Sequence, residues 1–486
     1  MKTLQVKENK RFFGREAEIE QLEEIASRAE AKILIVYGRR RVGKTELLEQ
    51  TFRKRKLLKF EGLENQNEAS QRHFVMQQLA HYAEEPLLKH LYPESWVDVF
   101  KYLAEVTKKG VWTLYFEEVQ WLANYKSDFV SGLKYVWDNF FRHNPELILI
   151  LCGSSPPFMI ESVIRSKALY NRSQHELPLK EFNLSEAKAM LSHYSNREVF
   201  DAYLTVGGIP EYLKRLHQGK KSIYLNLCKE SFLPGAFFAY EYERIFTSSL
   251  GSNKHYKKII SFLSRRRFAN RQEIMSHLKL KSGGALSQEL ADLEICGFID
   301  SYLPFNSSQQ GHSLRFTIAD PYMQFYFRFI EPKLEGIEEG NFNTEPLRAL
   351  NMTTFQQWLG YAFERFCRKS HRQIATLLGF QGVNYRVGAY YSKKSLPEES
   401  GFQIDLVFDR DDKVLTICEI KYSQTPVSTK VIEEFEKKLA YLPNGRHKSI
   451  QRVLISTWGP DKALEKRAYF DAMIQTDDFF IPFIWK

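Results

Sequence analysis

Gly38 and Gly43 have four residues between them and are followed at once by Lys44 and Thr45, in the segment Gly38-Arg39-Arg40-Arg41-Val42-Gly43-Lys44-Thr45. The two glycines let a loop curl so that its backbone N–H groups converge on an anion. Lys44 supplies charge to outer phosphates, and Thr45 offers a hydroxyl to Mg2+. The chemistry implied is capture of the phosphates of ATP, with Glu46 at the head of the helix that follows as a further contact. A second pair of candidates, Glu117 and Glu118, closes the apolar run Leu114-Tyr115-Phe116. There Glu117 would hold the metal's shell and Glu118 would polarise the attacking water. Asp is the usual residue at the first of these positions; the extra methylene of Glu moves the carboxylate by about 1.5 Å, so slow hydrolysis is expected.

A separate constellation lies near the C-terminus. Asp405 interrupts the run Phe402 to Phe408, and Glu419 and Lys421 interrupt Val414 to Tyr422. Strand side chains alternate, so Glu419 and Lys421 must share a face. Two acids that bind Mg2+ and a lysine that orients or deprotonates water suit attack on a phosphodiester. Glu364 adds an acid from a helix whose apolar stripe is Phe355, Leu359, Ala362, Phe363 and Phe366, and Gln403 shares the face of Asp405. The plainer alternative is that these charges only keep edge-like strands soluble.

Two weaker signals belong to the first site. Gly153-Ser154-Ser155 could place a polar side chain against a γ-phosphate, or form a simple turn. Arg172, in Leu169-Tyr170-Asn171-Arg172, could stabilise a transferring phosphoryl group in its own or a neighbouring subunit, or sit in solvent. The neighbouring-subunit option leaves a homo-oligomer open.

These residues need elements to hold them. Short β-branched runs at 33–37, 111–116 and 147–152 read as buried parallel strands, with helices at 45–53, 71–81 and 130–141 between them. Such alternation implies an α/β fold with a parallel sheet. From Asn183 to Tyr240 the pattern is wholly helical and reads as a lid. Residues 254–300 give a compact helical pattern, and two strands, 298–303 and 313–318, flank Ser307-Ser-Gln-Gln-Gly311; the sum suggests a winged helix. After the aromatic helix 322–329, the polar stretch Glu331 to Pro346 reads as a linker. The last unit has helices at 353–369 and 429–442 and strands at 401–408, 413–422 and 452–457. The expected division is 1–182 ATPase core, 183–250 lid, 251–330 winged helix, 331–346 linker and 347–486 C-terminal α/β domain.

Nine Lys or Arg residues against the single acid Glu273 between Lys254 and Lys281 suit a polyphosphate surface. The helix expected at 285–296 carries Glu289, Asp292 and Glu294 and no Lys or Arg, which argues against base reading in a major groove. The formal charge of +10 makes polyanions plausible partners. No run approaches the ~18 uninterrupted apolar residues a membrane helix needs, so no membrane partner is expected. The charged N-terminus lacks an export pattern, and the five scattered cysteines suggest neither zinc nor disulfides; a cytoplasmic protein is expected.

Phe13-Gly14-Arg15-Glu16, the loop GRRRVGKT, FEEVQWL, LCGSS, LYNR and Gly207-Gly-Ile-Pro-Glu-Tyr-Leu213 together resemble the archaeal-type prokaryotic ATPases, a branch of the AAA+/STAND P-loop class. The resemblance runs on through Asp320-Pro-Tyr-Met-Gln-Phe-Tyr-Phe-Arg-Phe329 into a domain similar to PD-(D/E)xK restriction-endonuclease-like nucleases. It implies that Phe13, Gly14 and Arg15 lie beside the adenine and that 207–212 belong to the lid. Glu117 for Asp, and Asn171 where the family often has Gly, depart from its pattern. The function expected is an ATPase that couples nucleotide state to binding or Mg2+-dependent cleavage of nucleic acid, DNA ahead of RNA. The rival is a signalling or scaffold ATPase whose C-terminal fold binds without cutting.

Overall fold

The computed structural model describes all residues except 127, 170–171, 173, 218–221, 250–253, 281–283, 304, 306–313, 392–402, 441, 443–446 and 482–486. Tyr170, Asn171, the turn expected at 307–311, Ser313 and residues 401–402 therefore lie outside the described residues.

Five parallel strands form the N-terminal sheet: β1 (Lys32–Tyr37), β2 (Lys56–Glu61), β3 (Trp112–Glu117), β4 (Ile148–Gly153) and β5 (Gln174–Pro178). Their order is β2-β3-β4-β1-β5. The central strands are apolar along their whole length because both faces are covered; Ile33, Leu34, Ile35, Val36, Leu149 and Ile150 are all fully buried. This order sets β4 between β1 and β3. The loop leaving β1 and the carboxylates ending β3 thus face each other across the end of β4.

Five helices follow, at Leu184–Met190, Asn196–Val206, Pro210–Leu216, Ile223–Phe232 and Phe237–Ser249. Two of them start in reciprocal caps, Asn183 with Glu186 and Ser195 with Glu198, which fix where each helix begins. The winged helix comprises helices Lys254–Ser264, Arg271–His277 and Gly284–Ile295 with β6 (Ala269–Asn270), β7 (Ile299–Tyr302) and β8 (Arg315–Ile318), in sheet order β6-β8-β7.

The C-terminal unit opens with the helix Met352–Lys369. Its sheet contains β9 (Tyr385–Tyr391), β10 (Gln403–Arg410), β11 (Val414–Lys421), β12 (Ser449–Ser456) and β13 (Ala472–Gln475) in the order β13-β12-β11-β10-β9. Strands β9, β10 and β11 are antiparallel neighbours, whereas β11, β12 and β13 run parallel. The helix Lys430–Ala440 lies in the crossover that the parallel pair β11–β12 requires.

The linker expected at 331–346 is instead short helical turns, Glu331–Lys333 and Leu334–Glu338, seated on the rest of the molecule. Ile337 is fully buried, and Phe342 packs edge-on to Phe232 of the lid at 6.3 Å. Leu334 and Ile337 are one helical turn apart, so the polar residues around them form an outer face rather than a free tether. Lid, winged helix and C-terminal unit share one hydrophobic cluster. Within it Phe200 of the lid meets Phe363 and Phe366 at 5.4 and 5.2 Å.

Candidate nucleotide site and C-terminal carboxylate site

The loop after β1 is shaped by two different glycine requirements. A Cβ on Gly38 would lie 2.2 Å from the Leu179 carbonyl oxygen, so only glycine lets the chain pass there. Gly43 has φ 91° and Arg41 φ 69°, both left-handed, and they turn the loop into the helix Lys44–Phe52. That helix presents unpaired N–H groups and a positive dipole end to the loop's interior. Lys44 is buried, and its Nζ donates 2.9 Å hydrogen bonds to the carbonyls of Gly38 and Arg39, which holds its charge at the loop.

The Thr45 hydroxyl donates to Glu117, whose other oxygen lies 2.5 Å from Lys59 Nζ on the adjacent strand β2. Lys59 also bonds Glu49 at 2.9 Å. Sequence reasoning missed Lys59; its one signal was a lysine inside the short run Leu-Leu-Lys-Phe. Glu118 sits in a left-handed conformation, φ 53°, that turns its carboxylate toward β4. It accepts hydrogen bonds from Ser154 Oγ at 2.6 Å, Gln120 Nε2 at 2.6 Å and Ser154 N at 3.2 Å. Ser154 thus positions the candidate water-polarising acid. Burial, and then Glu117, push the Glu61 carboxyl above its ordinary value, which marks this end of the sheet as short of positive charge. Thr45 and Glu117 fit a divalent cation that would relieve it.

Arg15 does not present itself to a base. It is buried, donates to the carbonyls of Val42 (2.8 Å) and Lys180 (2.7 Å), and stacks over Phe182, so it buckles the N-terminal segment to the loop and the lid. Its N–H bonds Glu186, and a Cβ on Gly14 would strike that same side chain. Two of the loop arginines expected at the nucleotide turn away as well. Arg39 pairs with buried Asp320 at 2.5 Å and stacks on Phe298; Arg41 pairs with buried Glu241 of the lid and stacks on Phe237. Arg40 is exposed. Arg172 is held by Asp138 of its own core, at 2.8 and 3.1 Å.

In the C-terminal sheet, Leu406 pairs with Cys418, so Asp405 and Glu419 stand opposite one another one step further on. Both are buried. Asp405 accepts from the Ile420 N–H at 3.1 Å and from Gln403 Nε2 at 3.3 Å; Gln403 also donates to Glu364 at 3.1 Å. Burial, then Glu419 and Glu364, raise the Asp405 carboxyl to about 7. Lys421 lies 3.1 Å from Glu419 and 2.8 Å from Glu434. A second lysine that sequence reasoning missed, Lys438, bonds both oxygens of Glu419 at 2.7 Å. It comes from the helix Lys430–Ala440, whose amphipathic pattern disguised it as a solvated face. The five expected residues Glu364, Gln403, Asp405, Glu419 and Lys421 are therefore brought together. Among the described residues, no group of three His, Cys, Asp or Glu side chains is placed to enclose a metal alone. Two carboxylates suffice for a Mg2+ that keeps water and takes substrate oxygens.

The acids on Gly284–Ile295 are bonded within the winged helix. Glu289 bonds His255 at 2.9 Å, Asp292 accepts from the Tyr256 hydroxyl at 2.6 Å, and Glu294 accepts from the Ser301 N–H at 2.8 Å. The helix also packs on the turn Pro156–Phe158 that follows β4.

Residues 12–216 match the family described as an ATPase domain predominantly from Archaea. Residues 326–434 match a family of archaeal and bacterial proteins of unknown function. An uncharacterized protein of Methanocaldococcus jannaschii is 27% identical over 417 residues, 85% of this chain and 87% of that protein. Among solved structures, the Walker-type ATPase of Pyrococcus abyssi has a TM-score of 0.47 at 20% identity, covering 65% of this chain and 96% of that one. The ORC2 protein of Aeropyrum pernix, solved as ADPNP-ADP complexes, has a TM-score of 0.42 at 13% identity, covering 69% and 98%. Among the described residues, no helix is long and apolar enough to cross a membrane.

Proposed function

We propose that the ATPase domain operates a C-terminal centre that binds nucleic acid, DNA ahead of RNA, and cleaves its phosphodiester backbone with Mg2+. The observation that carries this reading is the buried, facing pair Asp405 and Glu419 with Lys421 beside Glu419. Buried like charges are costly without a counter-ion, and a carboxyl raised to about 7 shows that cost. Asp405 and Glu419 would hold Mg2+, which when bound would polarise the phosphodiester and acidify a water. Burial lowers the Lys421 pKa, but Glu419 and Glu434 more than offset it and the net direction is up. Lys421 would orient or deprotonate the attacking water, or stabilise negative charge on the attacked phosphate.

At the other end, Lys44 and the loop N–H groups would hold the ATP phosphates, Thr45 and Glu117 the metal, and Glu118 the attacking water. The contacts between the sites are short. Arg39 of the loop grips Asp320, two residues past the end of β8; Thr317 on β8 donates at 3.0 Å to the Arg267 carbonyl; Arg267 reaches Gln403 beside Asp405. Phosphate binding that draws Arg39 toward the loop would pull on this series.

A second reading, a scaffold whose C-terminal centre only binds, is favoured by Lys438, which already neutralises Glu419. Incubating plasmid, single-stranded DNA and RNA with the purified protein and Mg2+ or Mn2+, alongside Asp405→Ala, separates the two. Metal-dependent cutting lost in the variant supports the nuclease; intact nucleotide binding without cutting under any condition leaves the scaffold.

A further inference from the structure

Next to the carboxylate pair, two arginines flank one acid and a third stands beside them in sequence. The helix Met352–Lys369 carries Glu364, Arg365 and Arg368, the first and last one turn apart. Arg368 Nη1 lies 3.6 Å from Glu364 Oε2. Shut off from solvent, that nitrogen has no hydrogen-bond partner among the described residues. Arg267 comes from the winged helix, just before β6; its Nη2 lies 4.0 Å from the same Glu364 oxygen and donates to Gln403. Gln403 in turn bonds both Glu364 and Asp405, so it joins the arginine group to the carboxylate centre.

We propose that Arg267 and Arg368 form a clamp for the phosphodiester backbone of a nucleic acid, built jointly by the winged helix and the C-terminal unit beside Asp405 and Glu419. This rests on the reading that the centre handles nucleic acid. Guanidinium groups match phosphate with paired, directional donors, and here two of them, Arg267 and Arg368, lie against the same Glu364 oxygen. Burial, then Arg368, bring the Arg365 pKa down to about 9, with Arg267 adding to the crowding. An arriving phosphate relieves that crowding at Arg267 and at the Arg368 side chain, which is only partly buried. Arg265 and Arg266 are exposed beside Arg267 and extend the basic edge along which a strand would enter. The basic first half of the winged helix then acts on backbone phosphate at this junction, not through base reading by Gly284–Ile295.

The test uses the full-length protein in EDTA, so that binding is read without cutting. Fluorescent single-stranded and duplex DNA are titrated at several salt concentrations against wild type, Arg267→Ala, Arg267→Lys and Arg368→Ala, with ATP binding measured in each to confirm the fold. The clamp predicts that Arg267→Ala and Arg368→Ala each weaken binding about tenfold and lower the log–log salt slope by roughly one, though they sit on different modules. Arg267→Lys keeps the slope and recovers part of the affinity. Unchanged affinity in both alanine variants overturns the clamp even if the protein cuts DNA. Loss of affinity in both, in a protein that never cuts, supports the clamp and removes only the cleavage reading. Binding of inorganic phosphate with no binding of either DNA overturns the backbone assignment.

Discussion

Lys44 and Glu118 divide the work at the nucleotide site, one meeting phosphate and the other facing the water that would attack it. Lys44→Ala is expected to weaken ATP binding at least about tenfold, the cost of roughly one charge-assisted contact. Glu118→Gln keeps the hydrogen bonds to Ser154 possible, so ATP binding stays within a few-fold while hydrolysis slows by about 10²–10⁴. Calorimetric titration with ATP and phosphate release by the two variants check this split. At the other centre Asp405 gives a pH signature. Its folded pKa, about 7, lies above the ordinary carboxylate value, so between that value and 7 the folded state holds the extra proton. Stability from this group therefore falls as pH rises through 7. Asp405→Asn removes the penalty: without metal its melting temperature should exceed that of wild type by more at pH 8 than at pH 5. At this scale the grouping of the acids with Lys421 was legible in the sequence, because motif spacing and strand alternation are local properties. The sequence could not name Lys59 or Lys438, since each reaches its carboxylate from a different element, across a contact that no spacing encodes.

Among elements, the central strands were legible as continuous apolar runs, and the strands that went unread are the sheet edges β2, β5, β6, β9 and β13. Charged or polar residues interrupt the apolar pattern of such edges, as in Lys56-Leu-Leu-Lys-Phe-Glu61 and His175-Glu-Leu-Pro178, which hides them. The expected linker failed for a related reason: one buried apolar position per turn is enough to seat a short helix. Ile337→Ala should then cost about 2–5 kcal/mol in denaturant unfolding, as a core truncation does. A substitution in a solvated tether would stay within about 0.5 kcal/mol. Gly38→Ala makes the opposite kind of test, because the loop cannot open the 2.2 Å approach to Leu179 without moving β5. Nucleotide binding should be lost with the sheet still folded, as read by ATP titration and circular dichroism.

Across the whole molecule, the shared cluster of lid, winged helix and C-terminal unit means that a displacement at the phosphate loop has packed side chains to act on, and no slack tether to absorb it. Further polar contacts tie the C-terminal unit to the rest: Lys369 to Glu181 at 2.9 Å and the Tyr422 hydroxyl to Asp201 at 2.8 Å. The central claim is that nucleotide state reaches the Asp405 centre through Arg39 and Asp320. Its most direct test is the rate of Mg2+-dependent DNA cleavage, with and without a non-hydrolysable ATP analogue, by wild type and Asp320→Ala at matched nucleotide saturation. The account predicts that the analogue changes the wild-type rate several-fold and leaves the Asp320→Ala rate unchanged. An equal response to the analogue in both proteins, or cleavage indifferent to nucleotide in wild type, would contradict it.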